Sequence, residues 1–325
     1  MIITQTPLRV SFVGGGTDLK GYYSEEPGHV LSVAIDKYIF VIVKERFDDK
    51  IVLNYTRKEI VDTVDQIQHD LIRETMRLTG VERGVEITTL ADIPSRGTGL
   101  GSSSSITVGL LNALYAYQGE FRDAERLAQE ACQVEIDILG APIGKQDQYI
   151  ASYGNVRLIT FFPDDRVDVR PVKLDYNLRR RFNEHLMLFY TGKTRSANTI
   201  LAEQNDQIPQ RREVLREMGG LPEILEACLH NGNLDEIGHI LHQNWERKKS
   251  LASGISDAAI DQLYETALAA GAIGGKITGA GGGGFLLLYC SGEKKEQVRQ
   301  ALSHLTELPF RFESQGSKII FNIHR

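Results

Sequence analysis

The segment from Pro94 to Ser105 constrains the fold more than any other part of the chain. It reads Pro-Ser-Arg-Gly-Thr-Gly-Leu-Gly and then four serines. Directly after it, Ile106, Leu110, Leu111, Leu114 and Tyr115 fall at helical spacing. A glycine-rich turn that enters a buried helix leaves backbone N–H groups unpaired. The helix dipole adds partial positive charge there, so the turn suits an anion. The serines add hydroxyls that can cap the helix, bind phosphate or ligate Mg²⁺. A plain helix cap would need one serine, not four. Other phosphate loops fit poorly. No GxxxxGK[ST] segment is present, and Gly140–Lys145 has the wrong spacing for one. Gly279-Ala-Gly-Gly-Gly-Gly284 spells GxGxxG, but it leads into the apolar run Phe285–Cys290 instead of opening a helix after a strand. No HRD or DFG set supports a protein-kinase fold.

A chain of 325 residues has room for two domains. A net charge of −6 argues against a dedicated nucleic-acid binder. Cys132, Cys228 and Cys290 are far apart and form no CxxC pair, which argues against a disulfide scaffold and for a reducing compartment. The N-terminus shows no basic region ahead of an apolar core, and the apolar runs are far shorter than a membrane span. The expectation is a cytoplasmic protein with no membrane partner.

Leu8–Val13, Tyr38–Lys44 and Val85–Leu90 read as strands, and Asp65–Thr79 as a helix. Asp123–Leu139 reads as a helix capped by Asp123, with Glu135 on the same face as Ala131 and Ile138. A carboxylate on an apolar face is costly unless paired or bound to metal. The stretch 196–253 reads as helical, broken at Gly219-Gly220 and Asn231-Gly232, and its run Glu246, Arg247, Lys248, Lys249 as an exposed face. From residue 257 the pattern is helix, strand, helix, strand, with room for one more short strand near Phe310.

Pro94–Ser105 resembles the PxxxGLGSS phosphate loop of the GHMP small-molecule kinases. Three further segments match that family in order. Pro7-Leu-Arg-Val-Ser-Phe-Val-Gly-Gly-Gly-Thr-Asp18 resembles the N-terminal motif written PGRVNLIGEHTD in galactokinases. Gly140–Tyr153 resembles the segment that carries the family's catalytic aspartate, and Lys276–Phe285 resembles its C-terminal glycine motif. The phrases GGGTD and GKQDQY and the segment Tyr190–Ser196 are most similar to the D-glycero-D-manno-heptose 7-phosphate 1-kinases. The resemblance implies an α+β fold in two domains. Residues 1–172 would be of the ribosomal protein S5 domain 2-like type and residues 173–325 ferredoxin-like, with the active cleft between them. It also implies an ATP- and Mg²⁺-dependent kinase acting on the anomeric hydroxyl of the heptose phosphate, in nucleotide-heptose synthesis for surface polysaccharide. Kinases of L-fucose, galactose or a uronic acid, and a catalytically silent sugar sensor, are the alternatives. A homodimer is left open.

On this resemblance Asp147 is the general base and Arg9 its electrostatic helper. Arg96, Gly97, Thr98, Gly99, Leu100, Gly101, Ser102, Ser103 and Ser104 hold the ATP phosphates, and Ser103 and Glu135 hold Mg²⁺, with Ser102 or Ser104 in place of Ser103 if the register shifts. Glu135 lies twelve residues before Asp147, one more than in mevalonate-type members, so its register is open and Ala141 or Pro142 is a candidate insertion. Gly15, Gly16, Thr17, Asp18, Gln146, Gly281 and Gly282 are expected at the sugar. Gly15 and Gly16 replace the Glu and His of galactokinases, which opens space and argues against galactose. Lys193 and Arg195 are the candidate clamp for the sugar's own phosphate, with Arg57, Lys58 and Arg96 as less specific alternatives.

Overall fold

The computed structural model describes residues 1–94, 97–194 and 196–323. In chain order, β1 (Ile2–Val13), α1 (Lys20–Tyr23), β2 (Gly28–Glu45), β3 (Ile51–Asn54) and β4 (Lys58–Val61) come first. They are followed by α2 (Asp70–Thr79), β5 (Val85–Ala91), α3 (Ser102–Tyr117) and α4 (Ala124–Cys132). A π-turn (Gln133–Ile138) continues α4, and α5 (Gln146–Tyr153), β6 (Val156–Phe161) and β7 (Val167–Pro171) complete the first half. The second half runs α6 (Tyr176–Glu184), β8 (Leu186–Tyr190), α7 (Ala197–Asp206), α8 (Ile208–His230) and α9 (Leu234–Lys249). Then come α10 (Ala258–Ala269), β9 (Ala272–Ile277), β10 (Phe285–Cys290), α11 (Lys295–Ala301), β11 (Thr306–Glu307) and β12 (Lys318–Asn322).

The first sheet has the order β12-β1-β2-β5-β3-β4, with β6 added to β2 and β7 to β6. The eighteen residues of β2 pair with β1 along one edge and with two strands along the other: Gly28–Val33 pairs β6, and Ile39–Glu45 pairs β5. Every strand pair is antiparallel except β3 with β5. The second sheet, β11-β8-β10-β9, is antiparallel throughout. The fold is α+β, as the resemblance implies. The final strand lies within the segment 173–325 assigned to the second domain. It nevertheless pairs with β1, and Phe312 bridges Ile35, so the tail of the 173–325 segment returns to the first sheet.

Strand β10 is buried along its whole length because both its faces are covered. Phe285, Leu287 and Tyr289 join the core shared with β1, α3, α8 and α9. Leu286, Leu288 and Cys290 join a second core around Trp245, Ile260 and Tyr264. Trp245 is fully buried there. Trp245→Ala should cost about 3–5 kcal/mol, read from urea unfolding; a loss below about 1 kcal/mol would contradict this packing.

Gly219-Gly220 does not break the helix. Helix α8 runs through both glycines and Pro222. The helix lies close to the turn after β1, and the glycines of that turn permit the approach. A Cβ on Gly219 would already touch Thr17, one on Gly14 would lie 2.9 Å from the Pro222 ring, and one on Gly16 would lie 3.0 Å from Leu215. Helix α8 is thereby seated on the turn after β1, and that turn forms one wall of the cleft.

Candidate active site

Three glycines shape the phosphate-loop candidate. Gly97, Gly99 and Gly101 have φ of 70°, 71° and 78°, the left-handed region that glycine enters without a Cβ penalty. Gly101 is the N-cap of α3 and supplies no side chain, so the helix starts at Ser102, four residues earlier than its apolar spacing suggests. Helix α3 is buried from Ser104 to Ala116 and packs on β1 and β2, which fixes its N-terminus at the cleft. The Leu100 carbonyl accepts the Arg9 amide (3.0 Å), tying the loop to β1.

Asp147 stands in the first turn of α5, where the helix dipole favours a carboxylate. The Arg9 guanidinium grips it with two parallel bonds, Nε to Oδ1 at 2.7 Å and Nη2 to Oδ2 at 2.6 Å. The third arm of Arg9 donates to the Gly99 carbonyl at 2.5 Å. One cation thus links the first strand, the glycine loop and the aspartate. Asp18 lies alongside. Its Oδ1 accepts the Gly16 amide (2.9 Å) and its Oδ2 accepts the Gln146 side-chain amide (3.0 Å). Burial raises the Asp18 carboxyl above its usual range, against the pull of the Gly16 N–H.

Glu135 sits in the π-turn, fully enclosed. A π-turn absorbs one extra residue per turn. Glu135 is positioned by this turn. Its Oε2 accepts Ser104 Oγ at 3.0 Å and Gln148 Nε2 at 3.2 Å. Its Oε1 has no hydrogen-bond partner among the described residues, and neither has Ser102 Oγ. Burial pushes the Glu135 carboxyl up to about 7. The serine that touches Glu135 is Ser104, whereas Ser103 is exposed at the cleft.

The cleft brings together Arg9, Gly15, Gly16, Asp18, Gly97, Thr98, Gly99, Gly101, Ser102, Ser103, Ser104, Gln146 and Asp147. Several expectations need correction. Leu100 turns its side chain into the core and offers the carbonyl that holds Arg9. Thr17 is fully buried, and its hydroxyl bonds the Gly14 and His29 carbonyls; it braces the turn without reaching the cleft. Gly281 and Gly282 pack on Ile255, whose carbonyl accepts the Gly282 amide at 2.8 Å. Lys276, Gly279 and Ala280 are the parts of that motif on the cleft. Lys193 is not a cleft residue: its ammonium is held by both oxygens of Asp257, at 2.8 and 3.0 Å. Arg96 and Arg195 lie outside the described residues.

Sequence reasoning missed Ser11, Gln204, Lys248 and Lys276, all on the cleft and all buried. Ser11 Oγ and Gln204 Nε2 have no partner among the described residues. Lys276 Nζ donates to the Ser11 and Phe12 carbonyls at 2.9 and 3.3 Å, and burial holds its amine well below the usual lysine range. Lys248 continues the buried stripe Ile237, Leu241, Asn244, Trp245 of α9. That spacing was the available signal, hidden inside a run of charges.

Two family models match the chain: "GHMP kinases N terminal domain" over residues 54–155 and "GHMP kinases C terminal" over residues 224–307. A D-glycero-alpha-D-manno-heptose 7-phosphate kinase of Campylobacter jejuni is 28% identical over 319 residues, 93% of each chain. A mevalonate kinase of Methanothermobacter thermautotrophicus is 30% identical over 230 residues, covering 69% of this chain and 70% of that one. The crystal structure of a D-glycero-D-manno-heptose 1-phosphate kinase from Bacteroides thetaiotaomicron superposes with a TM-score of 0.84 at 25% identity, covering 100% of both chains.

Proposed function

The chain belongs to the GHMP kinases, and from that premise we propose that it transfers the γ-phosphoryl group of ATP to the anomeric hydroxyl of D-glycero-D-manno-heptose 7-phosphate. It is a phosphotransferase with an alcohol group as acceptor, of the sugar-kinase kind. The observation that carries the finer reading is the Arg9–Asp147 pair at the mouth of the glycine loop, beside Asp18 and the space left by Gly15.

In this reading the triphosphate tail lies along residues 97–104, against the N-terminus of α3. Asp18 and Gln146 orient the sugar, since an ionised carboxylate accepts from hydroxyls. Asp147 takes the proton of the anomeric hydroxyl. The freed oxygen bonds the γ-phosphorus while the bond from phosphorus to the β-γ bridging oxygen breaks and ADP leaves. Arg9 orients the Asp147 carboxylate through its two hydrogen bonds and offsets charge on the transferring group.

The donor set fits Mg²⁺. Glu135 Oε1 and Ser102 Oγ are buried oxygens without partners among the described residues, and Ser103 and Ser104 add hydroxyls. No group of three or more His, Cys, Asp or Glu able to hold a metal occurs among the described residues, so nucleotide oxygens and water would complete the shell. Mg²⁺ bound there neutralises triphosphate charge. Glu135→Gln should raise the Mg²⁺ concentration for half-maximal rate at least about tenfold. An unchanged Mg²⁺ dependence would remove Glu135 from this role.

A screen of purified enzyme against heptose, fucose, galactose and uronic-acid acceptors, with and without a terminal phosphate, tests the reading. NMR locates the new phosphate. The expected product is the heptose 1,7-bisphosphate. Preference for an unphosphorylated sugar would replace the substrate, and sugar binding without ADP release would favour a sensor.

A further inference from the structure

Helix α9 approaches the cleft from the C-terminal half, and Lys248 in its last turn lines the cleft. The side chain is 4% exposed. Its ammonium bonds the Gly279 carbonyl, and its other two N–H groups have no acceptor among the described residues. A buried ammonium with donors to spare is costly unless an anion arrives.

Its surroundings identify the anion. Gly279 packs directly on Gly99: a Cβ on Gly279 would lie 2.7 Å from Gly99 Cα. The Gly99 carbonyl is capped by Arg9 and the Gly279 carbonyl by Lys248. Two abutting glycine turns, one from each half, thus each carry one cation into the same space. The charged groups that act on the Lys248 ammonium are Arg9 from β1, Asp18 from the following turn, Asp147 from α5 and Lys276 from β9. Arg9 and Asp147 are already paired with each other. Lys248 is therefore beside the proposed transfer point with its charge uncommitted.

We propose that Lys248 is a catalytic residue whose ammonium hydrogen-bonds the non-bridging oxygens of the transferring γ-phosphoryl group, acting from the C-terminal half as Arg9 acts from the N-terminal half. The assignment rests on the kinase reading above. Phosphoryl transfer is driven largely by positioned positive charge, so a second cation at this place supplies transition-state stabilisation. Burial, with help from Arg9, pushes the Lys248 amine down to about 8. In the free enzyme the charge is thus lost as pH rises through that value, and kcat/KM for ATP falls on the alkaline side. Arginine at this position keeps its charge throughout.

The test compares wild type, Lys248→Met and Lys248→Arg in two assays, with circular dichroism to establish that each variant folds. Calorimetry measures ATP and ADP affinities without any acceptor. The Met variant should lose at least about tenfold of the ATP-over-ADP preference. In turnover, kcat of the Met variant should fall about 10²–10³-fold with little change in acceptor KM. The Arg variant should recover part of the rate and lack the alkaline limb near pH 8. An unchanged ATP-over-ADP ratio would overturn the assignment. So would a rise in acceptor KM alone, which would place Lys248 at the sugar's own phosphate, or an alkaline limb retained in the Arg variant. A wild-type enzyme that phosphorylates no sugar would defeat the substrate reading and leave the calorimetric arm to decide Lys248.

Discussion

Asp147→Asn lowers kcat by about 10²–10⁴ and leaves nucleotide affinity nearly unchanged. Asparagine keeps the shape of the side chain and its place in the first turn of α5, but it cannot take a proton from the acceptor hydroxyl. The change also leaves Arg9, whose side chain is 6% exposed, facing a neutral partner. Breaking a buried pair from one side costs stability, up to about 3–5 kcal/mol in fully enclosed cases. The 20% exposure of Asp147 puts the cost here below that range. Thermal unfolding separates this cost from the chemistry: a folded, ATP-binding variant with a deep loss of kcat supports the base, and near wild-type turnover removes it.

Gly144→Ala gives the second large effect, on the acceptor side. A Cβ at this position would lie 2.0 Å from Asp18 Oδ2 and 2.9 Å from the Asp18 carbonyl oxygen. The backbone of Gly144 does not have positive φ, so the strain falls on Asp18 and not on the turn itself. The Asp18 carboxylate must leave the position where Gly16 and Gln146 hold it. A displacement of about 1 Å in a positioning group can cost 10²-fold. Acceptor kcat/KM should therefore fall about 10²-fold while the ATP KM stays within a few-fold. Gly220→Ala is the control, because a Cβ there meets nothing within 4 Å and the residue does not line the cleft. Equal losses in the two variants would contradict the placement of the sugar against Asp18.

Much of this site was legible because motifs and local chemistry coincide. The glycine loop reads as an anion site from its own chemistry, whereas Arg9, Asp18 and Asp147 are singled out by the resemblance of their segments to the family's motifs. What the sequence hid depends on contacts between distant segments. Lys193 looked available until Asp257, 64 residues on, was seen to hold it. Lys248 looked like surface because three of its neighbours are charged, yet helical spacing sets it with Trp245 and Leu241. The Gly219-Gly220 pair reads as a break in any local scheme, yet α8 runs through it; the close approach of α8 to the turn after β1 is made at Gly14 and Gly16. The return of β12 to β1 likewise has no local signature, since an edge strand of five residues carries no mark of its partner.

The most direct test is a crystal structure with a non-hydrolysable ATP analogue and the heptose phosphate bound together. The account predicts the triphosphate along Gly97–Ser104 and an Asp147 carboxylate oxygen about 2.6–3.2 Å from the anomeric oxygen, in line with the γ-phosphorus. A nucleotide seated elsewhere, or an anomeric oxygen out of reach of Asp147, would contradict it.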